Sequence, residues 1–211
     1  KFRRQRQMCI RDRSNAVLSL FGPKARDILE LVTTGNVSNT VHPFGFARQI
    51  GIAGCSVLAM RITYVGELGW ELHLPVENAQ TVYSALIEAG TPLGLRNAGY
   101  RAIETLRLEK GYRAWSSDIG PDHTPDEAGL GWAVKMRSNI SFKGRDALAR
   151  QREEGIKKIM ATFTTDSDII LSGRETIYRN GNRCGWLSSA GFGHTIGKFI
   201  GMGYVLSLIH I

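Results

Sequence analysis

The sequence is poor in cysteine: of 211 residues only Cys9, Cys55 and Cys184, with no CxxC pair. That excludes a disulfide scaffold and a thiolate metal framework, and it points to a reducing compartment. Long apolar runs are also missing. Arg, Lys, Asp or Glu breaks every hydrophobic stretch before the roughly 18 residues of a membrane span, so no membrane partner is expected. His42, His73 and His194 are scattered, with no ligand spacing among them. There is no Walker sequence, and Ser188 and Ser189 sit in no Gly-x-Ser-x-Gly elbow. Gly191, Gly193, Gly197, Gly201 and Gly203 lack the strand-to-helix setting of a dinucleotide fingerprint and are expected at turns of a β segment. What remains is an ordinary globular composition, 43% hydrophobic, 22% charged and 9% aromatic, long enough for one large core or two smaller ones.

The net charge of +8 suggests nucleic acid until its position is examined. Residues 1–13, KFRRQRQMCIRDR, hold six basic side chains and one acidic, so the body carries only +3 and no basic stripe. No nucleic-acid partner is therefore expected. QMCIRDR and the terminal LSLIHI resemble translated adapter sequence, so 1–13 and 206–211 are set aside as non-native-looking tails. On that reading the body is a fragment; the alternative is a genuine basic arm.

Along the body, Ala16–Phe21 reads as a strand and Gly22-Pro23 as the start of a helix. Pro23 is placed at the first helical position, and Ala25, Ile28, Leu29 and Val32 form its apolar face. Strands are expected at Arg48–Ile52, Ser56–Tyr64 and Glu71–Pro75. Helices are expected from about Glu77 to Gly90 and from Asn97, as N-cap, to Lys110. A loop containing Pro121 and Pro125 and a short helix near Gly144–Glu153 follow. From Ile156 short β segments alternate with glycine, and Asn180-Gly181 is a two-residue hairpin signal. The fold class is thus α+β, with one segment at 14–155 and a small, incomplete β segment at 156–205.

Few residues single themselves out for chemistry. Asp118–Glu127 gathers four carboxylates and His123 without calcium-loop spacing, which reads as a solvated or ligand-facing rim. Strand alternation sends Trp70 and Glu71 to opposite faces, leaving Glu71 as either a solvent-facing strand residue or a carboxylate for two parallel N–H donors. Arg101 stands apart from Arg107, Glu109 and Lys110 on the predicted helix. It could clamp a carboxylate or pair at i, i+3 with Glu104.

The segments ITYVGELGWEL, NAGYRAIETLRLEKGYRAWSSDI, HTPDEAGLGWAVK, FKGRDAL and GWLSSAGFGHTIGKFIGMGYV resemble the folate-binding aminomethyltransferase (glycine cleavage T-protein) family. The likeness runs from about Ala16 to Val205. It is nearest the C-terminal folate module of dimethylglycine and sarcosine dehydrogenases, because Gly66-Glu67-Leu68-Gly69 replaces the Glu-Asp-Gly of stand-alone T-proteins. The resemblance implies an aminomethyltransferase-like folate-binding domain followed by the family's C-terminal β-barrel, and tetrahydrofolate as cofactor. By motif match Glu71 pairs with the aminopyrimidinone edge of the pterin, Arg101 lies at the folate site, and Tyr64 and Trp115 line the same cavity. The family's catalytic aspartate and the flavin-binding domain have no counterpart in this sequence. No catalytic residue is therefore assigned, and FAD and a flavin dehydrogenase partner domain are expected in a parent chain only. Cytoplasm is the implied compartment, or the mitochondrial matrix in a eukaryote. A stand-alone aminomethyltransferase and a non-catalytic regulatory homologue are the alternatives.

Overall fold

The computed structural model describes residues 14–167 and 169–206. The expected N-terminal tail, and residues 207–211 of the C-terminal one, lie outside them. Packing divides the chain into two compact units after Gly99.

In the first unit β1 (Asn15–Phe21), β2 (Ala47–Ile52), β3 (Cys55–Met60) and β4 (Gly69–Pro75) form an antiparallel sheet in the order β1-β4-β3-β2. Helices α1 (Ala25–Val32) and α2 (Ala79–Gly90), with the loop residue Val37, complete its core. β4 is flanked on both sides, and its period-2 pattern decides what each face does. Trp70, Leu72 and Leu74 are buried in one cluster with Ile28 and Leu29 of α1 and Val82 and Leu86 of α2. Each fully buried aliphatic side chain of this kind contributes about 1.5–3 kcal/mol. Glu71 and His73 take the opposite face.

Three helix boundaries differ from the sequence reading. α1 begins at Ala25, not Pro23, because Ala25 N–H bonds to the Gly22 carbonyl and closes a turn around the proline. α2 is preceded by a 3-10 turn at Val76–Asn78. Asn97 caps nothing: the next helix starts at Tyr100, after Gly99, and the Asn97 amide donates to the Tyr83 hydroxyl at 2.7 Å.

The second unit contains α3 (Tyr100–Lys110), α4 (Arg145–Glu154) and the strands β5 (Lys158–Thr165), β6 (Thr176–Arg179), β7 (Asn182–Gly193) and β8 (Lys198–Leu206). The strands form one antiparallel sheet, β5-β8-β7-β6, and no closed barrel among the described residues. Leu108 of α3 packs with Met160, Met202 and Tyr204 of the sheet. α3 thus lies on β7 and β8, strands from beyond residue 155. Asn180 and Gly181, at φ +50° and +79°, make the hairpin turn the dipeptide signalled.

The glycine-rich run is a correction. Only Gly197, at φ +67°, sits in a turn; Gly191 and Gly193 belong to β7, and Gly201 and Gly203 to β8. Gly203 is required by crowding: a Cβ there would lie 2.2 Å from the Trp186 carbonyl oxygen and 2.7 Å from Leu187 Cα. The β7–β8 register shifts between Leu187 and Ser189, beside this close approach.

Candidate functional site

Glu71 projects from the middle of the first sheet, with Ser19 of β1 and Met60 of β3 as its cross-strand neighbours. Its side chain is 30% exposed, and its Oε2 lies 3.3 Å from His73 Nε2, two residues along the same face. Of the two fates open to it, Glu71 therefore takes the face away from the helices, and Trp70 is the residue turned inward. A carboxylate held by one neighbour keeps its remaining lone pairs for a ligand with parallel donors. Tyr64 lies between β3 and β4 and is partly buried.

Arg101 and Trp115 belong to the second unit. Arg101, in the first turn of α3, is exposed and has no hydrogen bond or ion pair among the described residues. The expected alternative pair with Glu104 does not form, because Glu104 binds Arg107 instead, accepting from its Nε at 3.1 Å. Trp115 is 70% exposed, yet its loop is pinned. Asp118 N–H bonds to the Ala114 carbonyl at 2.9 Å, and Asp118 Oδ2 accepts from Ala114 N–H at 2.9 Å. The loop presents a flat aromatic surface on a fixed backbone.

The group that fixes that loop is one the sequence reading missed. Arg107 is fully buried and forms an ion pair of 2.6 Å with the fully buried Asp118. It also donates to the Tyr112 carbonyl at 2.9 Å and to Ser189 Oγ at 2.8 Å. The hydroxyls of Ser188 and Ser189 both donate to Asp118 Oδ1, the latter at 2.7 Å. Burial works against the Arg107 charge, but Glu104 and Asp118 outweigh it and hold the guanidinium above its ordinary value. The sequence groups Arg107 only with the neighbouring charges of Glu109 and Lys110 in the last turns of the helix. Its only sequence signal was the neighbouring Leu108, which shares its burial.

Three of the four carboxylates of Asp118–Glu127 are engaged within the protein, and Asp122 is exposed. Asp118 is in the buried network, and Asp126 takes both nitrogens of Arg152 at 2.8 Å. Glu127 accepts from Thr124 N–H at 3.0 Å while its own N–H bonds to Thr124 Oγ1, a reciprocal turn cap. Among the described residues no group of three or more His, Cys, Asp and Glu side chains could hold a metal ion. Nor is any helix long and apolar enough to cross a membrane.

Comparison with known proteins bears on both units. The family model described as the GCVT N-terminal domain matches residues 2–138, and that of the glycine cleavage T-protein C-terminal barrel domain matches 158–207. Mouse mitochondrial sarcosine dehydrogenase is 43% identical over 189 residues, which is 90% of this chain and 21% of that protein. An aminomethyltransferase of Halothermothrix orenii is 40% identical over 202 residues, 95% of this chain and 56% of that protein. The crystal structure of the glycine cleavage system aminomethyltransferase T from Bartonella henselae matches with a TM-score of 0.65 at 21% identity. That match covers 91% of this chain and 76% of the other. It establishes the fold. The chain therefore spans about a fifth of the dehydrogenase it resembles and just over half of the aminomethyltransferase.

Proposed function

From the premise that this chain belongs to the glycine cleavage T-protein family, we propose that it is a tetrahydrofolate-binding, one-carbon-transfer module of a flavin-dependent dehydrogenase of N-methylated glycines. The observation that carries the reading is Glu71, a partly exposed carboxylate held by His73 on the strand face opposite the core of α1 and α2. Glu71 takes the aminopyrimidinone edge, whose two N–H donors match its two oxygens. Charge-assisted bonds of this type contribute about 1.5–3 kcal/mol. Arg101, without a partner among the described residues, supplies a guanidinium fork for a ligand carboxylate. Tyr64 and the exposed face of Trp115 offer aromatic surface for the folate. Tetrahydrofolate, when bound, supplies the nitrogen that accepts the one-carbon unit; the residues named here bind and orient it. FAD belongs to a dehydrogenase domain of the parent chain. The mitochondrial relative favours the matrix as the compartment of a eukaryotic parent.

A stand-alone aminomethyltransferase is the second reading, favoured by the 40% identity to the Halothermothrix orenii protein over 95% of this chain. A flavin fingerprint encoded upstream in the same reading frame decides for the dehydrogenase, and its absence decides against it. Folate binding itself is tested by calorimetric titration of tetrahydrofolate into the 211-residue chain and its E71Q variant. The expected outcome is saturable binding that E71Q weakens at least tenfold, about 1.4 kcal/mol. Equal affinity in E71Q removes Glu71 from the site, and no binding by the unaltered chain overturns the reading.

A further inference from the structure

The helix-covered side of β4 gathers positive charge. The guanidinium carbons of Arg26, in the first turn of α1, and Arg61, just after β3, each lie 5.7 Å from the centre of the Trp70 ring. Arg48 faces the same neighbourhood through His42, which meets Trp70 edge-on at 6.1 Å. Among the described residues none of these arginines is in an ion pair, and each makes only a neutral bond. Arg26 donates to Asn39 Oδ1 at 2.6 Å, Arg61 to the His42 carbonyl at 2.9 Å, and Arg48 to the Val41 carbonyl at 3.1 Å.

Burial and the adjacent Arg26 charge push the Arg61 guanidinium down. Burial, with Arg48 and Arg61 beside it, pushes the His42 imidazole down as well. Like charges brought together in a partly desolvated place repel and cost stability unless something neutralises them.

Three polar atoms in this same cluster are buried without a hydrogen-bond partner among the described residues: Trp70 Nε1, Arg26 Nε and His42 Nδ1. Trp70 and His42 are completely buried. An orphaned indole N–H and an orphaned guanidinium N–H each carry a desolvation penalty that a missing acceptor would relieve. Two of the orphans are obligate donors, and the third becomes one when His42 takes a proton. The group that satisfies them is thus an acceptor, and the surrounding charge makes it an anion.

We propose that Arg26, Arg61 and the Trp70 indole N–H form a binding site for a small oxyanion of the phosphate type. The arginines supply forked donors and the indole fixes one further oxygen; the first turn of α1 bears Arg26 beside the exposed Asp27. The site stands apart from the folate reading, because Trp70 and Glu71 project from opposite faces of β4.

The test is a titration of the 211-residue chain with inorganic phosphate at constant ionic strength, with chloride as the reference salt. The Trp70 indole N–H is followed by nitrogen–proton NMR and assigned with W70F. A saturable shift with phosphate and none with chloride is expected, together with a rise in Tm. R26Q and R61Q are each expected to weaken the apparent affinity at least tenfold. If either unfolds, R26K and R61K keep the charge, lose the fork, and are expected to weaken binding severalfold. Glycerol 3-phosphate tells the sources apart: similar affinity identifies the phosphate group of a larger molecule as ligand, and selectivity for inorganic phosphate identifies the free ion. No saturable shift, an equal shift with chloride, or unchanged affinity in the arginine variants overturns the proposal.

Discussion

Removing the charge of Asp118 should unfold the second unit well before the first. In D118N the Arg107 guanidinium stays fully buried, and its remaining carboxylate partner is Glu104, whose side chain is 34% exposed. The amide can still bond to the Ser188 and Ser189 hydroxyls, which rotate to accept, so the loss is chiefly of charge compensation. Breaking one side of a buried ion pair costs about 3–5 kcal/mol. With a urea m-value of about 1–3 kcal/mol/M, that is a fall in midpoint of about 2 M. R107M should cost a similar amount, because it strands a buried carboxylate. The R107M/D118N pair should cost clearly less than the sum, since neither charge is then left alone. Equilibrium urea unfolding by circular dichroism gives the three values, and amide exchange in β7 and β8 assigns the loss to the second unit. Two units need not melt together, so the residue-resolved measurement is required. Single variants losing under 1 kcal/mol, or strictly additive losses, would refute the reasoning.

Tyr204 is buried with its hydroxyl unpartnered, and burial, with the Glu127 and Asp118 carboxylates, pushes it up to about 12. A neutral form favoured by folding contributes stability that is complete below the ordinary value of 10.0 and lost as pH rises toward 12. Y204F should flatten roughly 2–3 kcal/mol of alkaline destabilisation and be neutral or stabilising at pH 7, as read from melts across pH 8–12. Burial opposes the Glu109 charge, but the Thr195 N–H and hydroxyl, both at 2.7 Å, hold its carboxyl below the usual 4.5. That stability is present above pH 4.5 and lost on acidification, so T195V should cost about 1 kcal/mol at pH 7 and less at pH 3. G203A should destabilise by about 1–3 kcal/mol or more, because its Cβ meets the backbone of Trp186 and Leu187. G99A, with nothing within 4 Å, serves as the harmless control in the same denaturation series.

What the sequence made legible follows from how local each signal was. The strands of the first sheet were legible from their local residue pattern, and the Asn180-Gly181 hairpin from turn chemistry that needs only two residues; β8 was not, because its glycines read as turns. α1 was visible from its apolar spacing, but its start was not. The proline signal fits both a first helical residue and the turn before it, and a backbone bond from Ala25 decided between them. Glu71 was identified as opposite in facing to Trp70, which period-2 geometry guarantees. Which of the two would be buried depended on helices contributed from elsewhere in the chain. Arg107 defeated the reading altogether. A charged residue beside Glu109 and Lys110 looks solvated, and its partners at 118 and 188–189 are brought to it only by the fold. The glycines of β8 misled for a related reason: their role is close approach to β7, which no spacing along one strand reveals.

The buried polar knot has a bearing on the order in which the second unit can be assembled. Asp118 leaves the ribosome 71 residues before Ser189 does, and Arg107 82 residues before it. Until those hydroxyls are synthesised, the helix carrying the arginine has no sheet to lie on and its charge stays in water. The unit must then wait for nearly its whole length before it can close, and any break in the backbone between residues 119 and 187 leaves two pieces that need each other. A nascent chain stalled in that interval would show a folded first sheet and an unprotected remainder, open to proteases and to whatever holds unfinished polypeptides.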